Sequence, residues 1–490
     1  MIYDLRFMKQ KFTKQKSVLL IVMGVMLISN RSFSQTSFTL QQAIDYGYLH
    51  SSKLQNAILD EKITEEKIKV FRGSGMPQIK ASAETKYFPY VPTNVIPNFI
   101  APSVAGVLNG VDEGQVAQGK PRLFFPNEGA ATAAADPNNY PLIAAQFGTK
   151  YNTAVSANAS WLVADASYFL ALKAQKELIQ LMKYSTERSK LDVAEQISKA
   201  YYTTIITEKK YDFLVANIQR IKKTLDDAKE SNKQGFVEKL DVDRLQLAYN
   251  NLITQETIVK TMVDISYSVL KFQIGYSSEQ NISLVDTLNS NQLKTIAINS
   301  NFNVESRLEI QQVNKGIELT KLQLKARDMA WMPNLVAFGS YSTTHAANKL
   351  DFMNKKANYY TMGVVGLSVN ATIFDGLQNK HEKAQLKMKI KQYENSLHDA
   401  KIALNLDYKT TATILKNSIL SIESQVENLE LANEVNRVSK IKYQEGVGSN
   451  LELLTAETSL KEAQTSYLSA LYDAYIAKVN FEKATGTLVK

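Results

Sequence analysis

From residue 79 the chain reads Ile79-Lys80-Ala81-Ser82-Ala83-Glu84-Thr85-Lys86-Tyr87, with Ile, Ala, Ala, Thr and Tyr at the odd positions and Lys, Ser, Glu and Lys at the even ones. Successive side chains on a strand point to opposite faces, so this period of two describes a strand with one apolar and one polar face. The alternation returns in Tyr151, Thr153, Val155, Ala157, Ala159 and Trp161 against Asn152, Ser156, Asn158 and Ser160, and again in Val365, Leu367, Val369, Ala371 and Ile373. Strands of about ten residues, apolar on one side and ending in aromatics, suit a transmembrane β-barrel; a half-buried soluble sheet alternates in the same way.

The N-terminus decides between them. Residues 1–34 combine a basic start (Arg6, Lys9, Lys11, Lys14, Lys16), an apolar run from Val18 to Ile28, and small residues Ser32 and Ser34, which is the pattern of a cleaved signal peptide. Its removal lowers the formal charge of +9 to about +4, and a nucleic-acid reading loses its basis. No later stretch approaches the roughly twenty apolar residues of a membrane helix, so an exported chain is soluble or inserted as strands. Cysteine is absent, which excludes disulfides, thiol nucleophiles and a lipobox anchor, and His50, His345, His381 and His398 do not cluster as ligands. No cofactor or metal is expected, and no catalytic residue.

Eight of the ten prolines lie between Phe88 and Lys150, which marks residues 88–150 as a long loop. None occurs from Leu142 to Trp331 or after Pro333, leaving the rest free to form very long helices. Leu214, Ile218, Ile221, Leu225 and Ala228 step by alternating fours and threes, as do Leu415, Ile419, Ile422, Val426 and Leu429. That is the heptad signature of coiled-coil packing. A helix from about Ala166 to Lys233 would run about 100 Å, which predicts an elongated object.

The chain also repeats. Gly235 and Gly275 recur as Gly446 and Gly486, and Met76-Pro77 as Met332-Pro333. We therefore expect a first repeat over 35–275, with strands at about 78–88 and 151–163 and a long helical hairpin tipped at 233–243. A linker over 276–300 follows, then a second repeat over 301–490, with strands at about 334–342 and 360–374 and a hairpin tipped at 443–455. Four strands cannot close a barrel, and open edges are not tolerated in lipid. Two copies would give eight strands and a filled interior; three give twelve and room for a channel.

At this point the chain resembles the TolC-like outer membrane efflux protein family. The resemblance rests on the paired Met-Pro strand starts, on Thr372-Ile373-Phe374-Asp375-Gly376 with its weaker counterpart Leu162-Val163-Ala164-Asp165, on Tyr443-Gln444-Glu445-Gly446-Val447-Gly448-Ser449-Asn450-Leu451-Glu452-Leu453-Leu454-Thr455-Ala456-Glu457, and on Ala484-Thr485-Gly486-Thr487-Leu488. It implies an all-α coiled-coil barrel joined to a transmembrane β-barrel: a homotrimer with twelve strands on a helical periplasmic tunnel. Such proteins are passive exit ducts in the cell outer membrane for drug efflux or type I secretion. Their partners are copies of themselves, a periplasmic adaptor, an inner-membrane transporter and lipid, and not nucleic acid.

The resemblance places the gate at the periplasmic tips. Asp241 and Glu452 fall where relatives carry aperture acids, Tyr443 where some carry a latch tyrosine, and Thr455 at a second acid position. Gly448 stands where an Arg latch is familiar. From the residues themselves, Asp241 and Glu452 lie near helix starts, where a carboxylate is also favoured by the helix dipole. Gly235 and Gly446, with Gly448, suit tight helix-tip turns. Phe88, Tyr90, Tyr151 and Trp161 read as interface aromatics or as sheet packing. Two other readings stay open: a secreted coiled-coil scaffold or adhesin without a pore, and a periplasmic adaptor, against which the duplication argues.

Overall fold

In the computed structural model the described residues are 36–97, 118, 142–146, 148–294, 302–354 and 357–488. The expected signal peptide and most of the proline-rich loop lie outside them, as does the end of the linker. In chain order the elements are β1 (Thr36–Phe38), α1 (Leu40–His50), α2 (Ser52–Ser74), β2 (Gln78–Tyr87), β3 (Thr93–Pro97), β4 (Leu142–Gln146), β5 (Tyr151–Ala164), α3 (Ala166–Lys233), α4 (Lys239–Ile274), β6 (Ile282–Leu284), α5 (Ser290–Lys294), α6 (Leu308–Asp328), β7 (Asn334–Ala347), β8 (Tyr360–Asn370), α7 (Gln378–Gln444) and α8 (Asn450–Thr485). They form two compact units, one of residues 68–172 and 325–383 and the other of the remainder.

The first of these units is built on an antiparallel sheet in the order β2-β5-β7-β8. Tyr87 lies opposite Tyr151, Thr153 opposite His345 and Thr343 opposite Thr361, so the odd-numbered residues of all four strands share one face. Ser82 and Ser156 hydroxyls pair at 2.9 Å on the other face. β8 ends at Asn370, short of the expected 374. Its partner β7 begins after Pro333, which has no N–H to extend the ladder, so Ala371 and Ile373 continue the alternation without pairing. β7 runs past the expected 342 to Ala347, because residues 343–347 pair with Tyr151–Val155 of β5; Thr343 and Thr344 also bond to β8 through their side chains. Within the stretch expected as loop, β3 and β4 pair antiparallel.

Each sheet-to-helix junction is fixed by an aspartate. Asp165 Oδ1 accepts from the Tyr168 amide at 2.9 Å and Asp375 Oδ2 from the Asn379 amide at 2.8 Å, satisfying donors that a helix start leaves open.

In the second unit the main core gathers Phe38, Ile44, Leu54, Ile197, Tyr201, Leu270, Ile274, Leu471 and Tyr475. The buried Tyr201 hydroxyl donates to Phe38 O and Asp286 Oδ2, both at 2.9 Å, and Asp286 also accepts from the first amide of α1. Leu214, Ile218, Ile221, Leu225 and Ala228 are all buried, facing Leu245, Leu252 and Val259 of α4. On α7 only Leu415 and Ile422 of the heptad are fully buried. No described helix is long and apolar enough to cross a membrane.

Candidate functional site

Both helical hairpins turn by the same local chemistry. At the first tip the Gly235 amide donates to Asn232 O and the Phe236 amide to Ser231 O, each at 3.0 Å. At the second, Gly446 donates to Tyr443 O at 3.1 Å and Val447 to Lys442 O at 3.0 Å. This pair of bonds is the Schellman turn, which closes a helix through a residue at positive φ. Here that residue is Gly235 (φ 84°) or Gly446 (φ 74°). Gly448 is needed for a different reason. A Cβ there would meet Lys442 Cβ at 2.9 Å and the Tyr443 amide nitrogen at 3.0 Å, so the backbone admits no side chain without shifting.

The two tips share an open cleft of about 590 Å³, lined among others by Asp227, Asp241, Arg244, Tyr443, Ser449 and Asn450. Asn450, at the start of α8, is 4% exposed, and its amide donates to the Asp241 carbonyl at 3.1 Å. The Asp241 carboxylate turns to Arg244 on its own helix, at 3.3 Å. The half-buried Tyr443 hydroxyl has no hydrogen-bond partner among the described residues. Burial, and then the charges of Asp241 and Asp227, push its ionisation upward, so it stays a neutral phenol.

The structure thus brings Asp241 and Tyr443 to one cleft and leaves Glu452 and Thr455 outside its lining. Ser449 caps α8 by accepting from the Glu452 amide at 3.1 Å, while the Glu452 carboxylate reaches Lys442 at the end of α7, at 3.1 Å. Thr455 is exposed, and its hydroxyl bonds back to Leu451 O at 2.7 Å.

Farther along α3 lies a buried polar network. Arg220 Nε sits 3.3 Å from Glu457 Oε2 on α8, Asn217 Nδ2 donates to Gln464 Oε1 at 2.9 Å, and Arg220 also donates to Asn217 Oδ1.

Residues 304–487 match the family described as outer membrane efflux protein. Outer membrane protein TolC of Escherichia coli (strain K12) is 21% identical over 351 residues, 69% of this chain and 70% of that one. The match places residues 304–487 in the outer membrane efflux protein family. The fold agrees: the outer membrane protein VceC of Vibrio cholerae superposes with a TM-score of 0.63 at 13% identity, over 91% of this chain and 96% of that one. CusC does so with a TM-score of 0.67 at 12% identity, over 92% of each.

Ser449 and Asn450, which cap α8 and tie the two tips, were not among the expected gate and turn residues. Ser449-x-x-Glu452 ahead of an apolar run is a helix-start signature. The Arg220–Glu457 network had no local signal. The aromatics, in the other unit, fall at both ends of the sheet. Tyr151 meets Tyr87 with ring centroids 4.9 Å apart, and the Phe88 amide donates to Lys150 O at 2.8 Å beside them. Tyr90 follows, 91% exposed. Trp161 lies ten residues along β5 towards the opposite end.

Proposed function

We propose that three copies of this chain form an outer-membrane exit duct of a tripartite efflux or type I secretion system. Substrate delivered by a periplasmic adaptor and an inner-membrane transporter passes through passively, and the helix tips act as the gate. The observation that carries the reading is the four-stranded sheet, whose outer strands β2 and β8 each have one edge without a strand partner among the described residues. On β8, Val365, Leu367 and Val369 are 87%, 71% and 67% exposed, a composition suited to lipid. Joining β8 of one copy to β2 of the next removes every edge, and three copies close twelve strands. The stripe of Ile258, Met262, Ile265 and Val269 exposed on α4 supports packing against further chains. Two internal repeats, a cleaved leader and a loop at the outer mouth complete the proposal.

Single-channel recording of the purified mature chain in planar bilayers tests it. Cation-selective pores whose opening changes in the Asp241→Ala/Glu452→Ala double variant support the duct and its acidic gate. A mature chain that stays soluble without detergent and never inserts overturns both, in favour of a coiled-coil scaffold.

A further inference from the structure

His345 lies near the end of β7, 5% exposed, beneath the segment that leads to β8. Its Nδ1 is 2.8 Å from the Asn358 carbonyl oxygen and its Nε2 is 2.7 Å from Asp351 Oδ1. A carbonyl only accepts, and an ionised carboxylate only accepts, so both ring nitrogens face acceptors. A neutral imidazole has one N–H to give; the imidazolium has two. With one proton fewer, a nitrogen lone pair of the covered imidazole would point at the Asp351 carboxylate, an unfavourable contact that the carboxylate, 42% exposed, can leave for water.

We propose that His345 is a proton-operated fastener of the β7–β8 loop: protonated, it holds the loop at both Asp351 and Asn358, and deprotonated it releases Asp351. The other titratable and charged groups at this end of the sheet do not duplicate it. Across β5 the residue opposite is Thr153, whose hydroxyl pairs with Thr85 at 3.1 Å. Glu84 and Lys86 on β2 close on each other at 2.7 Å. Lys150, at the foot of β5, uses its backbone amide to reach Asn348 Oδ1 at 3.3 Å, and the loop's own cations are Lys349, Lys355 and Lys356. Tyr359 stands with its ring 5.2 Å from the imidazole, and its hydroxyl donates to Phe352 O. The Lys150–Asn348 and Tyr359–Phe352 bonds do not involve the imidazole. Release therefore acts at Asp351, and the strands stay paired.

This goes beyond conduction and does not depend on the number of copies. The test is limited proteolysis of the full mature chain in detergent with a lysine-specific protease, followed by mass spectrometry at Lys349, Lys355 and Lys356. Rates are normalised to a free peptide at each pH from 6 to 9. Wild-type cleavage should rise with pH, by up to about tenfold per unit above the imidazole range, as expected for loss of one proton. His345→Gln should be cleaved fast at every pH, and Asp351→Asn should flatten the profile with the imidazole still in place. A flat wild-type profile, or a His345→Gln variant that keeps the wild-type pH dependence, overturns the proposal. If His345→Gln does not fold, ring-nitrogen NMR of the wild type decides: an imidazolium signature for His345 at pH 7 is expected, and a neutral ring there refutes the fastener.

Discussion

The Arg220 guanidinium and the Glu457 carboxylate meet at 3.3 Å although 237 residues separate them, and Glu457 is 7% exposed. An ion pair in such a place is costly to break from one side, because the surviving charge keeps its burial and loses its partner. Arg220→Met should destabilise the helical unit by about 2–3 kcal/mol, as expected for a buried charged acceptor left unmet. Pairing it with Glu457→Leu should recover much of that. A thermal-unfolding double-mutant cycle checks the sign of the coupling.

The second tip makes a steric prediction. Gly448→Ala places a methyl against the Lys442 and Tyr443 backbone and should cost about 1–3 kcal/mol, the usual range for overpacking. Gly448→Arg should disturb the turn as well. Gly73→Ala is the control, since nothing lies within 4 Å of its added carbon. Comparing the melting temperatures of the three orders them.

Asn450 and Asp241 make separable contributions to the tip. Asp241→Ala removes a carboxylate but leaves the backbone carbonyl that Asn450 holds; Asn450→Ala removes the tie itself. Open probability in bilayer recordings should therefore rise more for Asn450→Ala. An equal or larger effect from Asp241→Ala would assign the gate to charge alone.

Near the other end of α8, Lys483 reaches Asp192 at 3.0 Å and Glu195 at 2.6 Å. Burial pushes the Glu195 carboxyl up, but the hydrogen bonds from Lys199 and Lys483 outweigh it, and the group titrates below its ordinary 4.5. A carboxyl depressed on folding stabilises the fold above its unfolded value and loses that contribution as pH falls through the folded one. The melting-temperature gap between wild type and Glu195→Gln should be constant from pH 6 to 8 and shrink below about 4.5. Lys483 is shifted in the opposite direction: burial opposes its charge, the bonds to Glu195 and Asp192 outweigh burial, and it titrates above 10.5. Its contribution is complete below that value and is lost only in strong alkali.

How far these features could be read from the chain depends on the range of the interaction. Helix starts and turns are set by neighbours a few residues apart, so Gly235, Gly446 and Asp375 carry their signals in the local sequence. Strand ends are harder. Thr343, Thr344 and His345 read as a polar loop, yet they extend β7 because Val155, Ala154 and Thr153 of β5 stand opposite, while the well-patterned Ala371 and Ile373 find no partner. The Asn217–Gln464 and Arg220–Glu457 contacts depend on how helices from distant parts of the chain rotate toward each other, which no local pattern encodes.

The unpaired margins of β2 and β8 also bear on inheritance. In a three-copy ring each chain lends one margin to either neighbour, so a single faulty margin spoils the whole ring. When half the chains in a cell carry such a fault, random mixing leaves only about one ring in eight intact. A substitution that blocks the β8 margin should therefore be dominant over the normal gene copy, whereas loss of the gene should be recessive.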